Sequence, residues 1–139
     1  MKIKPVITNK YQSKYLNITL DFDLNTNLIL ISGDSGIGKS FVWQIFDNDR
    51  DLDDNLETLN YKDIKDVNAK IKGYTNKLVI IDNADILLDN EIRKYIAFDT
   101  TNQYIIFGRN PEYLYLTKEN CKELVIKDDI IKLEDMFQL

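Results

Sequence analysis

The chain has 139 residues, 44% hydrophobic and 29% charged, with a net charge of -5 and a pI near 4.7. That length holds one hydrophobic core, so a single domain over residues 1–139 is expected, and the aliphatic runs LILI and LVII are far too short to cross a bilayer. A lone cysteine, Cys121, and the absence of histidine exclude disulfides, zinc sites and every histidine-based general base, while the acidic balance argues against a broad nucleic-acid footprint.

The opening MKIKPVITNKYQ contains lysines but no long apolar stretch and no small-residue cleavage site, so no secretory signal is read and a cytoplasmic location is expected. Alternating apolar and polar positions in IKPVIT and YLNITLDF predict two strands, joined by NKYQSK and paired antiparallel. TNLILIS is more continuously apolar, the pattern of a strand covered on both faces. Val42, Ile45 and Phe46 then fall at i, i+3 and i+4, which predicts a helix starting near Lys39. The acidic run at 47–57, DNDRDLDDNLE, reads as a solvated loop after that helix.

Ile64, Val67 and Ile71 mark a second helical face, closed by Gly73. KLVIID is a second buried strand. Asp89 caps a helix through NEIRKYIAF with the stripe Ile92, Tyr95 and Ile96, and QYIIFG follows as a third buried strand. ELVIK and IIKL, separated by DD, form a closing hairpin. Strands alternating with helices imply an α/β, three-layer domain: a central mostly parallel sheet, helices on its faces, and antiparallel strands at its edges.

Between the strand TNLILIS and the helix at Lys39 stands GDSGIGKS, residues 33–40. The spacing of Gly33, Gly38, Lys39 and Ser40 is the phosphate-binding P-loop, or Walker A motif. Glycines admit backbone conformations closed to other residues, so successive N–H groups turn inward onto phosphate oxygens, and the helix N-terminus adds its positive dipole end. The expected nucleotide-binding set is Gly33, Asp34, Ser35, Gly36, Ile37, Gly38, Lys39, Ser40 and Phe41. Lys39 reaches the β and γ phosphates, and the Ser40 hydroxyl takes Mg2+. Asp82, ending LVII at the edge of a neighbouring strand, is the Walker B carboxylate that holds the same ion through water. Asp85 either caps the next helical turn or stands near the γ-phosphate.

The lead-in YLNITLDFDLNTNLILISGDSGIGKS resembles the N-terminal segment of ABC-type ATPases over roughly the first 46 residues. That family's LSGGQ signature, its helical subdomain and its switch histidine do not follow, and Asn83 occupies the place of its water-polarising acid. LVIIDNADILLDNEIRKYIAF followed by QYIIFGRN resembles the core of AAA+ ATPases, which implies a polar sensor at Arg109 or Asn110; no helical lid follows. The GD.G.GK loop is also similar to that of the small bacterial ATPase that assists tRNA threonylcarbamoylation. GTPases are excluded because NKLV lacks the aspartate of their base-reading motif and DNAD lacks the switch glycine, and three arginines are too few for the lid of a small-molecule kinase.

The resulting expectation is a P-loop NTPase-like domain that binds ATP with Mg2+, with Lys39, Asp82, Asp85 and Arg109 as catalytic candidates and Ser40 and Asp82 at the metal. It acts either as a weak or partner-stimulated ATPase or as a nucleotide-gated interaction subunit. A protein partner, or self-association through Arg109, completes the site; preference for adenine is a class expectation, since P-loop residues read phosphate.

Overall fold

The computed structural model describes residues 4–32, 38–109 and 111–136. Its strands are β1 (Lys10–Tyr15), β2 (Ile18–Asp23), β3 (Leu28–Ser32), β4 (Leu56–Leu59), β5 (Leu78–Ile81), β6 (Gln103–Phe107), β7 (Cys121–Lys127) and β8 (Ile130–Asp135). The helices are α1 (Lys39–Arg50) after β3, α2 (Val67–Gly73) after β4, and α3 (Ala84–Leu87) and α4 (Asn90–Phe98) between β5 and β6. All eight strands join one sheet in the order β1-β2-β8-β7-β3-β6-β5-β4.

This architecture corrects the expected three-layer, mostly parallel P-loop-type sandwich. The sheet is mixed and forms a half-barrel, and helices make up only about 30% of the structure. The strands β7, β3, β6, β5 and β4 run parallel, but the antiparallel β7–β8 hairpin lies inside the sheet, because β8 pairs in parallel with β2. The antiparallel pairs are therefore not confined to the edges. At the curled end, Tyr11 of β1 packs its ring on Phe46 of α1 at 4.6 Å and donates its hydroxyl to Asp49 at 2.5 Å. That contact brings an edge strand around α1, where a layered domain would leave it flat.

The central strands are covered on both faces, as their apolar runs predict. Ile29 and Ile31 of β3 point toward α1, whose Val42, Ile45 and Phe46 are buried, together with Ile105 and Phe107 of β6. The alternate residues Leu28 and Leu30 face Ile71, Leu87, Ile92 and Ile96 from α2, α3 and α4. Each such aliphatic side chain contributes roughly 1.5–3 kcal/mol through burial, and period-two alternation in the strands divides that contribution between the two faces.

Other local expectations need correction. IKPVIT is not a strand over its described residues: the N–H groups of Ile7 and Thr8 donate to Gln103 Oε1 at 3.0 and 2.9 Å, and that of Val6 to Asn27 Oδ1 at 3.0 Å. Side chains thus take the donors a ladder would use, and β1 falls in the stretch expected to be the connection. The acidic run is not all loop. Its first residues complete α1, and its end enters β4. Ile64 is exposed and precedes α2, whose apolar face rests on Val67 and Ile71. Gly73 is the last helical residue without a left-handed backbone, since the chain leaves through an extended Tyr74. Asp89 does cap α4, accepting the Ile92 N–H at 2.8 Å, and the β7–β8 hairpin turns on Asp128 and Asp129, both left-handed, as two-residue hairpin turns require.

A polar network closes the sheet at the N-terminal ends of its parallel strands. Fully buried Asn102 donates to Tyr74 O and Asp99 Oδ2, both at 2.8 Å, and accepts the Lys77 N–H at 3.0 Å. Burial alone raises the Asp99 carboxyl, but hydrogen bonds from Tyr104, Asn102 and Thr101 outweigh it and hold the group below its ordinary value. A carboxylate depressed by folding adds stability above its unfolded value, and this contribution is lost as pH falls through the lower folded value. The urea midpoint is therefore expected to drop between about pH 4 and about pH 2 by a smaller margin in Asp99→Asn than in the wild type; equal drops in the two proteins would remove Asp99 from the acid response.

Candidate functional site

Three strand ends meet at one edge of the sheet. Ile31 is level with Phe107, Ile106 with Ile81, and the Gly108 N–H donates to Ile31 O at 3.2 Å. β3 leaves this edge through α1 toward β4 on one side, whereas the adjacent β6 leaves toward β7 on the other. Neighbouring strands whose connections depart in opposite directions leave a crevice beyond their carboxyl ends, a common place for a ligand in sheets of this kind.

The first turn of α1 opens into that crevice. Gly38 precedes it with φ 78° and ψ 18°, a left-handed geometry that favours glycine, and no side chain caps the helix. The N-terminal N–H groups of a helix left without a side-chain cap are suited to an anion. Lys39 and Ser40 from this turn line a cavity of about 180 Å3 with Asp82, Asn83, Asp85, Phe107, Gly108 and Arg109. The structure thus brings together Lys39, Ser40, Asp82, Asp85 and Arg109 from three separated segments.

Asp82 follows β5, which is separated from β3 by β6 and is not its immediate neighbour. Its N–H donates to Leu59 O at 2.9 Å, and its Oδ1 accepts the Asn83 N–H at 2.9 Å, which fixes the carboxylate's orientation. Asn83 is left-handed, at φ 56° and ψ 38°, and initiates α3. Asn tolerates that conformation better than most residues. Asp85 of α3 receives the Arg109 N–H on Oδ1 at 3.1 Å and on Oδ2 at 2.9 Å.

Comparison with protein families, characterised proteins and solved structures finds no match. The chemistry of the site therefore rests on its own residues.

Gly33, Asp34, Ser35, Gly36 and Ile37 lie outside the described residues, as does Asn110. Phe41 does not line the cavity; it stands edge-on to Tyr15 with ring centroids 6.0 Å apart, each ring more than a third exposed. Two neighbours of the site were missed from sequence. Ile126 of β7 lies where a Cβ on Gly38 would touch it at 3.8 Å, and Gly108 is buried against α3. The glycine ending QYIIFG was a usable signal for the second, because a glycine directly after a buried strand often marks close approach.

A larger groove of about 840 Å3 lies between α1, β4 and α2, and there Lys70 pairs with Asp63 at 2.7 Å and Arg50 with Asp47 at 3.7 Å. The smaller cavity is the stronger candidate because its cations and carboxylates converge at a helix N-terminus. Among the described residues no group of three or more carboxylate or thiol side chains could hold a metal by itself. Ser40 and Asp82 offer a hydroxyl and one carboxylate, hard oxygen donors that suit Mg2+ when phosphate and water supply the remainder.

Proposed function

We propose that the protein binds a nucleoside triphosphate with Mg2+, ATP by class, and turns it over slowly or only with a partner's help. The observation that carries this reading is the shared cavity: the lysine and serine of GDSGIGKS meet the aspartate that ends LVII, 42 positions further along, at the N-terminus of α1. In the proposed complex the first-turn amides of α1 would cradle the phosphates, Lys39 would offset charge on the β and γ groups, and Ser40 and Asp82 would hold the ion. Hydrolysis joins a water oxygen to the γ-phosphorus as its bond to the β–γ bridging oxygen breaks, releasing nucleoside diphosphate and phosphate. A cavity of about 180 Å3 fits phosphates and not a whole nucleotide, so sugar and base lie across the surface. A cytoplasmic location, where such nucleotides are abundant, belongs to the same reading; no helix among the described residues is long and apolar enough to cross a membrane.

A second reading, a nucleotide-gated interaction subunit that does not turn over ATP, is favoured by one feature. Asn83, which follows the metal carboxylate, has an amide that cannot accept the proton of attacking water at neutral pH. The test of the shared core is calorimetry with Mg-ATP, with and without chelator. Affinity is expected to fall at least tenfold without magnesium and by a similar factor in Asp82→Ala, with the thermal midpoint of the free protein held within a few degrees. Equal affinity in all three conditions would make Asp82 a residue of structure alone.

A further inference from the structure

We propose that Asp85 is a positioning residue for this site: it holds the start of the β6–β7 connection so that Arg109 stands at the cavity. The proposal rests on the nucleotide reading above. Both Asp85 oxygens accept the same N–H, that of Arg109, at 3.1 and 2.9 Å. A carboxylate centred on one backbone donor forms a charge-assisted tie to the main chain. The tie depends on glycine at 108, because a Cβ there would lie 3.1 Å from Asp85 Oδ1 and 3.2 Å from Ala84 Cβ.

The same connection is gripped again from α4. Arg93, buried to 5% exposure, donates from Nε to Leu88 O at 3.0 Å and from Nη1 to Glu112 O at 3.3 Å. The segment after β6 is therefore fastened at Arg109 by α3 and at Glu112 by α4. The chain's three arginines divide accordingly: Arg93 is committed to this grip, Arg50 lies beside Asp47, and Arg109 lines the cavity. Arg109 is thus the guanidinium placed to meet charge on a γ-phosphate, and Asp85 sets its placement.

The experiment is calorimetry of the full chain with Mg-ATP and with Mg-ADP, read as the ratio of the two affinities, in wild type, Asp85→Asn, Asp85→Ala, Arg109→Ala and the double variant Asp85→Ala with Arg109→Ala. Wild type is expected to prefer ATP by about tenfold, the scale of one charge-assisted contact. Asp85→Asn keeps a side-chain oxygen to accept the Arg109 N–H, so its ratio should stay within about threefold of wild type. Asp85→Ala and Arg109→Ala should each bring the ratio close to one, and the double variant should fall no further, because both act through one group. If Asp85→Ala does not fold, Asp85→Ser, whose shorter side chain withdraws its oxygen from the Arg109 N–H, takes its place in the same comparison and should likewise bring the ratio close to one. A ratio unaffected by Asp85→Ala, or additive losses in the double variant, would overturn the positioning role while leaving nucleotide binding standing. Failure of wild type to bind either nucleotide would instead remove the nucleotide reading and this proposal with it.

Discussion

Lys39→Ala is expected to abolish the stabilisation that Mg-ATP confers on the protein. A ligand that binds only the folded state at about a hundredfold excess over its Kd adds about 2.7 kcal/mol, which for a domain of this size is a rise of several degrees in Tm. Lys39 opens α1, half-buried at the cavity, and in the proposed complex supplies the charge nearest the β and γ phosphates. Alanine is the strongest helix former, so the substitution should leave α1 and the Tm of the free protein nearly unchanged. The measurement is a thermal melt of both proteins with and without Mg-ATP. An undiminished shift in Lys39→Ala would sink the phosphate-site assignment, because no other substitution removes so much of the proposed attraction while sparing the fold.

The parts of the structure legible in sequence were those whose apolar pattern is local and unambiguous. LILIS, LVII and QYIIF each form a strand buried on both faces, and Val42, Ile45 and Phe46 face the core from α1. What was not legible depended on distant pairing. Parallel contact between β2 and β8, reinforced by Lys132 and Asp21, which are 111 positions apart, puts the last hairpin inside the sheet and turns a layered expectation into a half-barrel. No periodicity within either segment encodes that choice. β4 was hidden because it has four residues and emerges from an acidic run. At the site, the left-handed turn at Gly38 and the helix that follows it were readable because the glycine and the apolar spacing sit in one short stretch. The engagement of Asp85 was not. It accepts a backbone N–H from a segment 24 positions away, which it meets where α3, a single turn, packs on Gly108.

In the proposed complex intrinsic hydrolysis should be slow, on the order of 10^-2 per second or below, the range of nucleotide hydrolases whose arginine is supplied in cis. Asn83 follows Asp82, the metal carboxylate of the proposed complex, and its left-handed backbone suits an amide: at φ 56° most side chains cost about 1–2 kcal/mol, and Asn and Asp less. Asn83→Asp therefore tests the chemistry with little change to the backbone, whereas Asn83→Glu adds that conformational cost to the same experiment. A carboxylate placed to accept the proton of attacking water contributes as much as about 10^2 to 10^4; a single added carboxylate without a refined surrounding is expected to give at least about tenfold. The other route to speed is a further arginine supplied in trans by a partner, worth about 10^3 to 10^5 in related chemistry; Arg109, exposed where it lines the cavity, leaves that side open to such a partner. Single-turnover hydrolysis of Mg-ATP across protein concentration separates these contributions for wild type, Asn83→Asp and Arg109→Ala. Wild type should be slow and, where self-association supplies a second arginine, faster at high concentration, whereas Arg109→Ala should be slower than wild type at every concentration. Fast turnover in wild type, independent of concentration and unimproved in Asn83→Asp, would show that the protein already contains a complete hydrolytic apparatus and would defeat the slow, partner-dependent reading.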